Sequence, residues 1–334
     1  MVRRHLLRLA ICGLQISWFC LTSVAQSGGG VVPRALVLER VPPEYTPEAR
    51  AAGLEGLVVL YVEVTRDGQL QTAHVLQSLG MGLDEKAIDA VKHWRFAANS
   101  KGVLPPVLEQ SVTIPFRLPE ARSWQIRQSD YRARRSASEA EKIIVEPVLA
   151  QYVRPDAGSC TSPQARAVVD FEIKKDGRTQ KVAVASTEGE GVGDAVAKAI
   201  AGWVFQPGSY NGSRMPATGY VEMECQAADQ AARQDVNQQV GKVGAGVSAP
   251  TLISKREPEY SLEARQEKRE GTVLMSIEID ETGHPVNMVV VRSLGMGLDE
   301  KAMQALNLWR FRPGLKGGKP VKVSAQVELS FRLR

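Results

Sequence analysis

Few residues in this chain have the types and spacing that chemistry needs. The four histidines, His5, His74, His93 and His284, are scattered, and no two stand at the spacing of a metal pair or a nucleophile and its base. They read as surface residues, apart from His5 in the leader described below. No G-x-S-x-G, H-E-x-x-H, C-x-x-C or phosphate-loop motif occurs. No catalytic residue, metal ligand or cofactor-binding residue is assigned, and a protein that is not an enzyme and carries no cofactor is expected. The nearest approach to a ligand loop is SLGMGLD from Ser78 to Asp84, whose glycines would suit an anion at a helix N-terminus. Asp84 stands where that anion would sit, and Asp299 does so in a second occurrence. A turn leading into a capped helix is therefore expected, with the aspartate accepting the free N–H groups of the first turn and Leu298 and Met303 forming the flanking apolar contact.

The chain has 334 residues, 43% apolar and 24% charged, with a net charge of +5, enough for two or three domains with cores of their own. Acidic and basic residues are interleaved rather than gathered in a stripe, which argues against nucleic acid as a partner. Arg3, Arg4 and Arg8, the run from Leu9 to Leu21, and Ser23-Val24-Ala25 ahead of Gln26 have the order of a secretory signal over residues 1–25. Leu9 to Ala25 is shorter than the roughly 20 apolar residues of a bilayer span. Cleavage after Ala25 would leave Cys160 and Cys225, an even pair in an oxidising compartment.

SLGMGLDEKA recurs at Ser293 to Ala302, an offset of 215. The same offset carries Pro43-Glu44-Tyr45 onto Pro258-Glu259-Tyr260, Trp94-Arg95-Phe96 onto Trp309-Arg310-Phe311 and Phe116-Arg117-Leu118 onto Phe331-Arg332-Leu333. An offset of 109 carries Asp67-Gly68 onto Asp176-Gly177 and Trp94 and Phe96 onto Trp203 and Phe205, a degenerate middle copy. The expected organisation is a first copy over 38–118, a linker over 119–141, a middle copy over 142–226, a linker over 227–249 and a third copy over 250–334. Neither linker sustains a strand pattern.

Each copy reads as one α+β module. Val273, Met275, Ile277 and Ile279 alternate with Leu274, Ser276 and Glu278 as a strand with one buried face, and Val58, Leu60, Val62 and Val64 repeat the pattern. A Gly turn and a second strand follow. Leu298, Ala302, Ala305, Leu306 and Trp309 then fall on one helical face. A last strand runs through Val323, Ala325, Val327, Leu329, Phe331 and Leu333, and a short helix precedes the first strand. The expectation is a three-stranded antiparallel sheet with helices on one face. Trp94, Trp203 and Trp309 read as core anchors, and Arg95 and Arg310 as solvated.

The proline–tyrosine entry, E-G-x-V, the D-G or T-G hairpin, S-x-G-x-G-L-D-x-x-A, W-R-F and the final F-R-L together resemble the TonB C-terminal domain. The resemblance covers 38–118 and 250–334 closely and 142–226 remotely. TonB energy transducers also have an uncleaved N-terminal helix and a proline-rich spacer, whereas the 18 prolines here are dispersed.

A three-stranded sheet leaves edges to which a peptide can add as a strand. The resemblance implies that use: capture of an extended segment of a TonB-dependent outer-membrane transporter or another envelope protein. On this sequence it falls on Lys322, Val323, Ser324, Ala325, Gln326, Val327, Glu328, Leu329, Ser330, Phe331, Arg332 and Leu333, with Glu259 and Tyr260 in the entry loop. The protein would be periplasmic, with a protein partner and no small-molecule substrate. An envelope scaffold whose modules bind each other or a different protein, and a membrane-anchored energy transducer, are the alternatives. Pro115 in the first copy lacks the N–H that Ser330 keeps at the equivalent place, which favours the third copy as the binding unit. Subtracting 109 places Cys160 at Ala51, in the leading helix, and Cys225 at Phe116, at the end of the last strand. With a central first strand antiparallel to the last, the start of one lies beside the end of the other, so a disulfide is expected.

Overall fold

The computed structural model describes residues 35–97, 106–118, 122–133, 144–160, 162, 164–227, 243 and 246–333. The leader and most of 227–249 lie outside these residues. The first copy contains α1 (Pro47–Ala52), β1 (Gly56–Thr65), β2 (Leu70–Gln77), α2 (Leu83–Lys92) and β3 (Val107–Phe116). A further strand, β4 (Arg122–Ala133), follows it. The middle copy has β5 (Arg166–Ile173), β6 (Thr179–Glu188), α3 (Val192–Ala201) and β7 (Ala217–Ala227). The third has α4 (Leu262–Gln266), β8 (Gly271–Ile279), β9 (Pro285–Arg292), α5 (Leu298–Asn307) and β10 (Val323–Phe331). The fold is α+β, and the first strand of each copy lies between the other two.

Local sequence explains these elements. Thr46 and Ser261 cap α1 and α4 by accepting the Ala49 and Ala264 N–H groups, and Pro47 enters α1 where no N–H is needed. Among the described residues the middle copy has no such leading helix. A short 3-10 turn over Ala157–Ser159 replaces it, because Pro155, Gly158 and Ser159 are poor helix formers. The tryptophans are anchors in all three copies. The indole N–H of Trp94, Trp203 and Trp309 donates to the carbonyls of Val41, Val153 and Arg256 at 2.9, 2.9 and 2.8 Å.

The aspartate of S-x-G-x-G-L-D does not cap the first turn as expected. The residue before α5 is Gly297, in the left-handed region, and Asp299 instead reaches back over the loop. Its carboxylate accepts from the Ser293 hydroxyl at 2.6 Å and the Leu294 and Gly295 N–H groups at 2.9 and 2.8 Å. Asp84 does the same with Ser78, Leu79 and Gly80. The motif closes a loop in which three consecutive residues, Gly295, Met296 and Gly297, have positive φ.

The copies are not separate beads on linkers. Their strands form one ten-stranded sheet in the order β6–β5–β7–β4–β1–β3–β9–β8–β10, with β2 also on β1. The expected linker 119–141 supplies β4, which pairs with β7 from Ala217↔Ala133 to Ala227↔Arg122 and meets β1 at Gly56↔Ile126. A Cβ at Gly56 would lie 2.6 Å from the Ile126 carbonyl oxygen, so only glycine allows that approach. The strand shows no apolar alternation because its polar residues are buried too. Trp124 and Ile126 enter the core while Gln125, Arg127, Gln128 and Ser129 face neighbouring copies. β1 departs from its expected single buried face as well. Val58, Leu60 and Val62 pack in its own core, and Val59 and Tyr61 pack against the third copy.

Buried polar contacts tie the copies together. Arg127 of β4 pairs with Asp280 of the third copy, and Gln128 donates to the Asn307 carbonyl. Asn307 Nδ2 in turn donates to Gln77 Oε1 at 3.1 Å, linking third copy to first. Glu222 on β7 is fully buried and meets Arg310, the His284 Nε2 atom at 3.2 Å and Arg166 at 3.4 Å. Two sequence expectations are corrected here. His284 is an interior residue (4% exposed) and Arg310 is half-buried because Glu222, from a copy about 60 residues upstream or more, draws them in, and no local pattern announces that.

Cys160 and Cys225 form a disulfide with Cα atoms 5.3 Å apart. Cys225 is paired with Trp124 in the β7–β4 ladder, so the bridge sits at one end of the strand that joins the first and middle copies. Free-thiol labelling of unfolded, unreduced protein is expected to find no thiol at either position, and reduction is expected to cost about 2–4 kcal/mol of stability. Two reactive thiols per chain would contradict this. Burial alone would raise the Glu222 carboxyl, but His284, Arg310 and Arg166 outweigh it and hold the group well below its ordinary value of 4.5. A depressed carboxyl gives stability that is full above the unfolded value and lost as pH falls toward the folded one. Glu222→Ala is thus expected to cost about 3–5 kcal/mol at pH 7 and to reduce the loss of stability below pH ~4.5, as read by urea unfolding at pH 7 and pH 3. A cost below about 1 kcal/mol would contradict the buried network.

Candidate functional site

β10 ends the sheet. It pairs with β8 over nine residues without a register break, from Gly271↔Phe331 to Ile279↔Val323. No strand lies on its other side among the described residues. Val323, Ala325, Val327, Leu329 and Phe331 are buried toward the helices, while Ser324, Glu328 and Ser330 are exposed and Gln326 is half-buried. The expected site thus contains nine strand residues, with Lys322 before them and Arg332 and Leu333 after. The Leu333 N–H donates to Glu270, which fixes the end of the strand beside the start of β8.

The direction of the free donors follows from the first copy. Pro115 stands opposite Leu57 in a β1–β3 ladder that runs unbroken from Gly56↔Phe116 to Thr65↔Val107. A residue without an N–H fits there when its nitrogen faces away from β1. Ser330 holds the equivalent place opposite Thr272, so its N–H faces away from β8, out of the open edge. By the two-residue period, Ser324, Gln326 and Glu328 present their N–H groups on the same side.

The equivalent strands of the other copies are covered. β4 lies along the whole of β7. β9 lies beside β3, meeting it at Val289↔Gln110, and the Met288 N–H donates to Ser111 Oγ at 3.0 Å. Pro115 therefore marks an edge of the first copy that faces the third copy across an open cleft. Past Gln110 the two strands splay, leaving a cleft of about 480 Å³ lined by Thr113, Pro115, Val286, Asn287 and Lys322 among others. Lys322 is placed in that cleft by the turn before β10.

The entry-loop residues have structural partners. Tyr260 packs edge-on against Phe331 with ring centroids 5.5 Å apart, as Tyr45 does against Phe116 at 5.4 Å. Tyr260 thus supports the end of β10 from beneath. Glu259 pairs with Arg132 of β4 at 2.7 Å, so it joins the third copy to the connector. That ion pair was not legible in the sequence, since neither residue lies near the other along the chain. Glu109, opposite Glu63 in the β1–β3 ladder, is pushed up to about 7 by burial and by Asp299, against the Tyr61 hydrogen bond that lowers it. Among the described residues no group of three or more His, Cys, Asp or Glu side chains could hold a metal ion, and no helix is long and apolar enough to cross a membrane.

Residues 41–118 and 256–333 match the family model of the Gram-negative bacterial TonB protein C-terminal. Protein TonB of Vibrio cholerae serotype O1 is 33% identical over 89 residues, covering 26% of this chain and 36% of that protein. Protein TonB of Xanthomonas campestris pv. campestris is 38% identical over 60 residues, 18% of this chain and 27% of the relative. Protein tonB2 of Pseudomonas aeruginosa is 34% identical over 77 residues, 23% and 28% respectively. The matches span about a third of these relatives' length. The first and third copies are thus each similar to the C-terminal domain of TonB proteins.

Proposed function

We propose that this is a periplasmic, non-catalytic binding protein that captures an extended segment of a TonB-dependent outer-membrane transporter or a related envelope protein, in support of transport. Capture occurs by strand addition at β10. The observation that carries this reading is the open edge itself: a strand of nine residues, with no proline and no bulge, whose alternate N–H and C=O groups have no neighbouring strand among the described residues. The resemblance of two copies to TonB C-terminal domains supplies the partner class, and the signal-like sequence of residues 1–25 supplies the compartment. The three copies serve as one unit, since the sheet runs through all of them.

A scaffold in which the copies chiefly bind one another has an observation in its favour. Two of the three equivalent edges face strands of the same chain. The two readings differ at β10 alone.

Titration of the intact chain with a transporter-derived segment tests the first reading. Ser330→Pro deletes one outward donor while leaving the β8 ladder as Pro115 leaves the β1 ladder. A lost backbone hydrogen bond is worth on the order of 1 kcal/mol, so affinity is expected to fall about fivefold, and more where the partner carbonyl is left unpaired. Unchanged affinity in a folded Ser330→Pro chain would contradict strand addition at β10, and absence of binding by the wild type would favour the scaffold.

A further inference from the structure

β3, β7 and β10 are the same strand in three copies, and each has a different outer neighbour. That of β7 does not belong to the repeat. β4 is the connector that follows the first copy, yet it matches β7 from Ala217↔Ala133 to Ala227↔Arg122 with one shift, between Glu222 and Met223. It sends Trp124 and Ile126 into the same core as Met223 and Cys225, and both are essentially inaccessible. Its Gln125 side chain donates to Glu224 on β7 at 2.5 Å. Ser123 and the Ile126 N–H are held by the side chain and carbonyl of Glu55 at the start of β1. A strand contributed by a segment outside the module, pairing along its last strand and burying alternate side chains in its core, has the features of a captured ligand. Here it is covalently part of the chain.

The first copy reaches a related state by another route. β9 stands beside β3 at Gln110, and where the two part, Pro115 offers no donor. Besides β10, β2 and β6 also lack a second neighbouring strand among the described residues; each is the second strand of its copy, β2 pairs with β1 through two register shifts, and β6 is likewise a poor template. Its pairing with β5 shifts twice, and Lys181 on it has φ 50°.

We propose that the chain closes two of its three equivalent capture edges from within, with β4 as the resident strand of the middle copy, so that one extended segment binds per chain and binds at β10. This rests on the reading of β10 as the capture edge.

Hydrogen exchange on the intact chain, with and without a transporter-derived segment, tests both together with calorimetric stoichiometry. In the free chain the paired amides of β4 and β7 are expected to exchange at least about a hundredfold more slowly than the outward amides of Ser324, Gln326, Glu328 and Ser330. The segment should then slow β10 alone, at one segment per chain. Fast exchange along β7 in the free chain, slowing of β7 or β3 by the segment, or two segments per chain would overturn the proposal. Slow exchange along β7 with no binding anywhere would instead overturn the reading of β10, and the count of one with it, while leaving β4 as a resident strand.

Discussion

A three-stranded antiparallel sheet has two edges, and on each edge alternate N–H and C=O groups point outward with nothing in the module to satisfy them. The chain meets this constraint three times with nearly the same fold. In the middle copy the connector β4 satisfies the last strand along its whole length. In the first, β9 of the third copy takes the position in part and a proline removes a donor. In the third, β10 meets no further strand among the described residues. The ten-stranded sheet and the open site follow from how each edge is filled.

Joining edges brings polar side chains into the interior, where they must be paired. β4 carries Gln125, Arg127, Gln128 and Ser129 on what would be a solvent face in an isolated hairpin. Arg127 meets Asp280, Gln128 meets Asn307, and Glu222 collects Arg310, His284 and Arg166. Breaking such a pair by removing one member is costly, because the other charge remains buried. The copies are therefore held in register by contacts that tolerate little substitution, while Val59, Tyr61 and Leu76 of the first copy add apolar packing against the third.

Local periodicity made the module legible. The alternation in β8 and β10, the helical face of α5, the glycine turns and the repeated tryptophans all appear in the structure where the sequence places them. Features that depend on contacts between copies were not legible. β4 has no apolar alternation because both of its faces are buried, one of them by polar partners. His284 and Arg310 look like surface residues until Glu222 is placed beside them. β1 offered a clue that alternation hides: Leu57 to Val62 is an unbroken apolar run, the pattern of a strand covered on both faces. Asp84 and Asp299 stand two residues past the cap positions, Gly82 and Gly297, and the distance to the preceding loop decides their role. For the candidate site, the strand and its free donors could be read from the third copy alone, but that its two homologues are occupied could not.

The central claim, that β10 is the edge at which a partner's segment becomes another strand of this sheet, is tested most directly by isotope-edited NMR of the intact chain bound to a labelled transporter-derived segment. The account predicts backbone contacts across β10, from the segment to the amides of Ser324, Gln326, Glu328 and Ser330 at alternate residues. Contacts confined to the cleft beside Pro115 and Lys322, or to the loop around Tyr260, with β10 untouched, would contradict it.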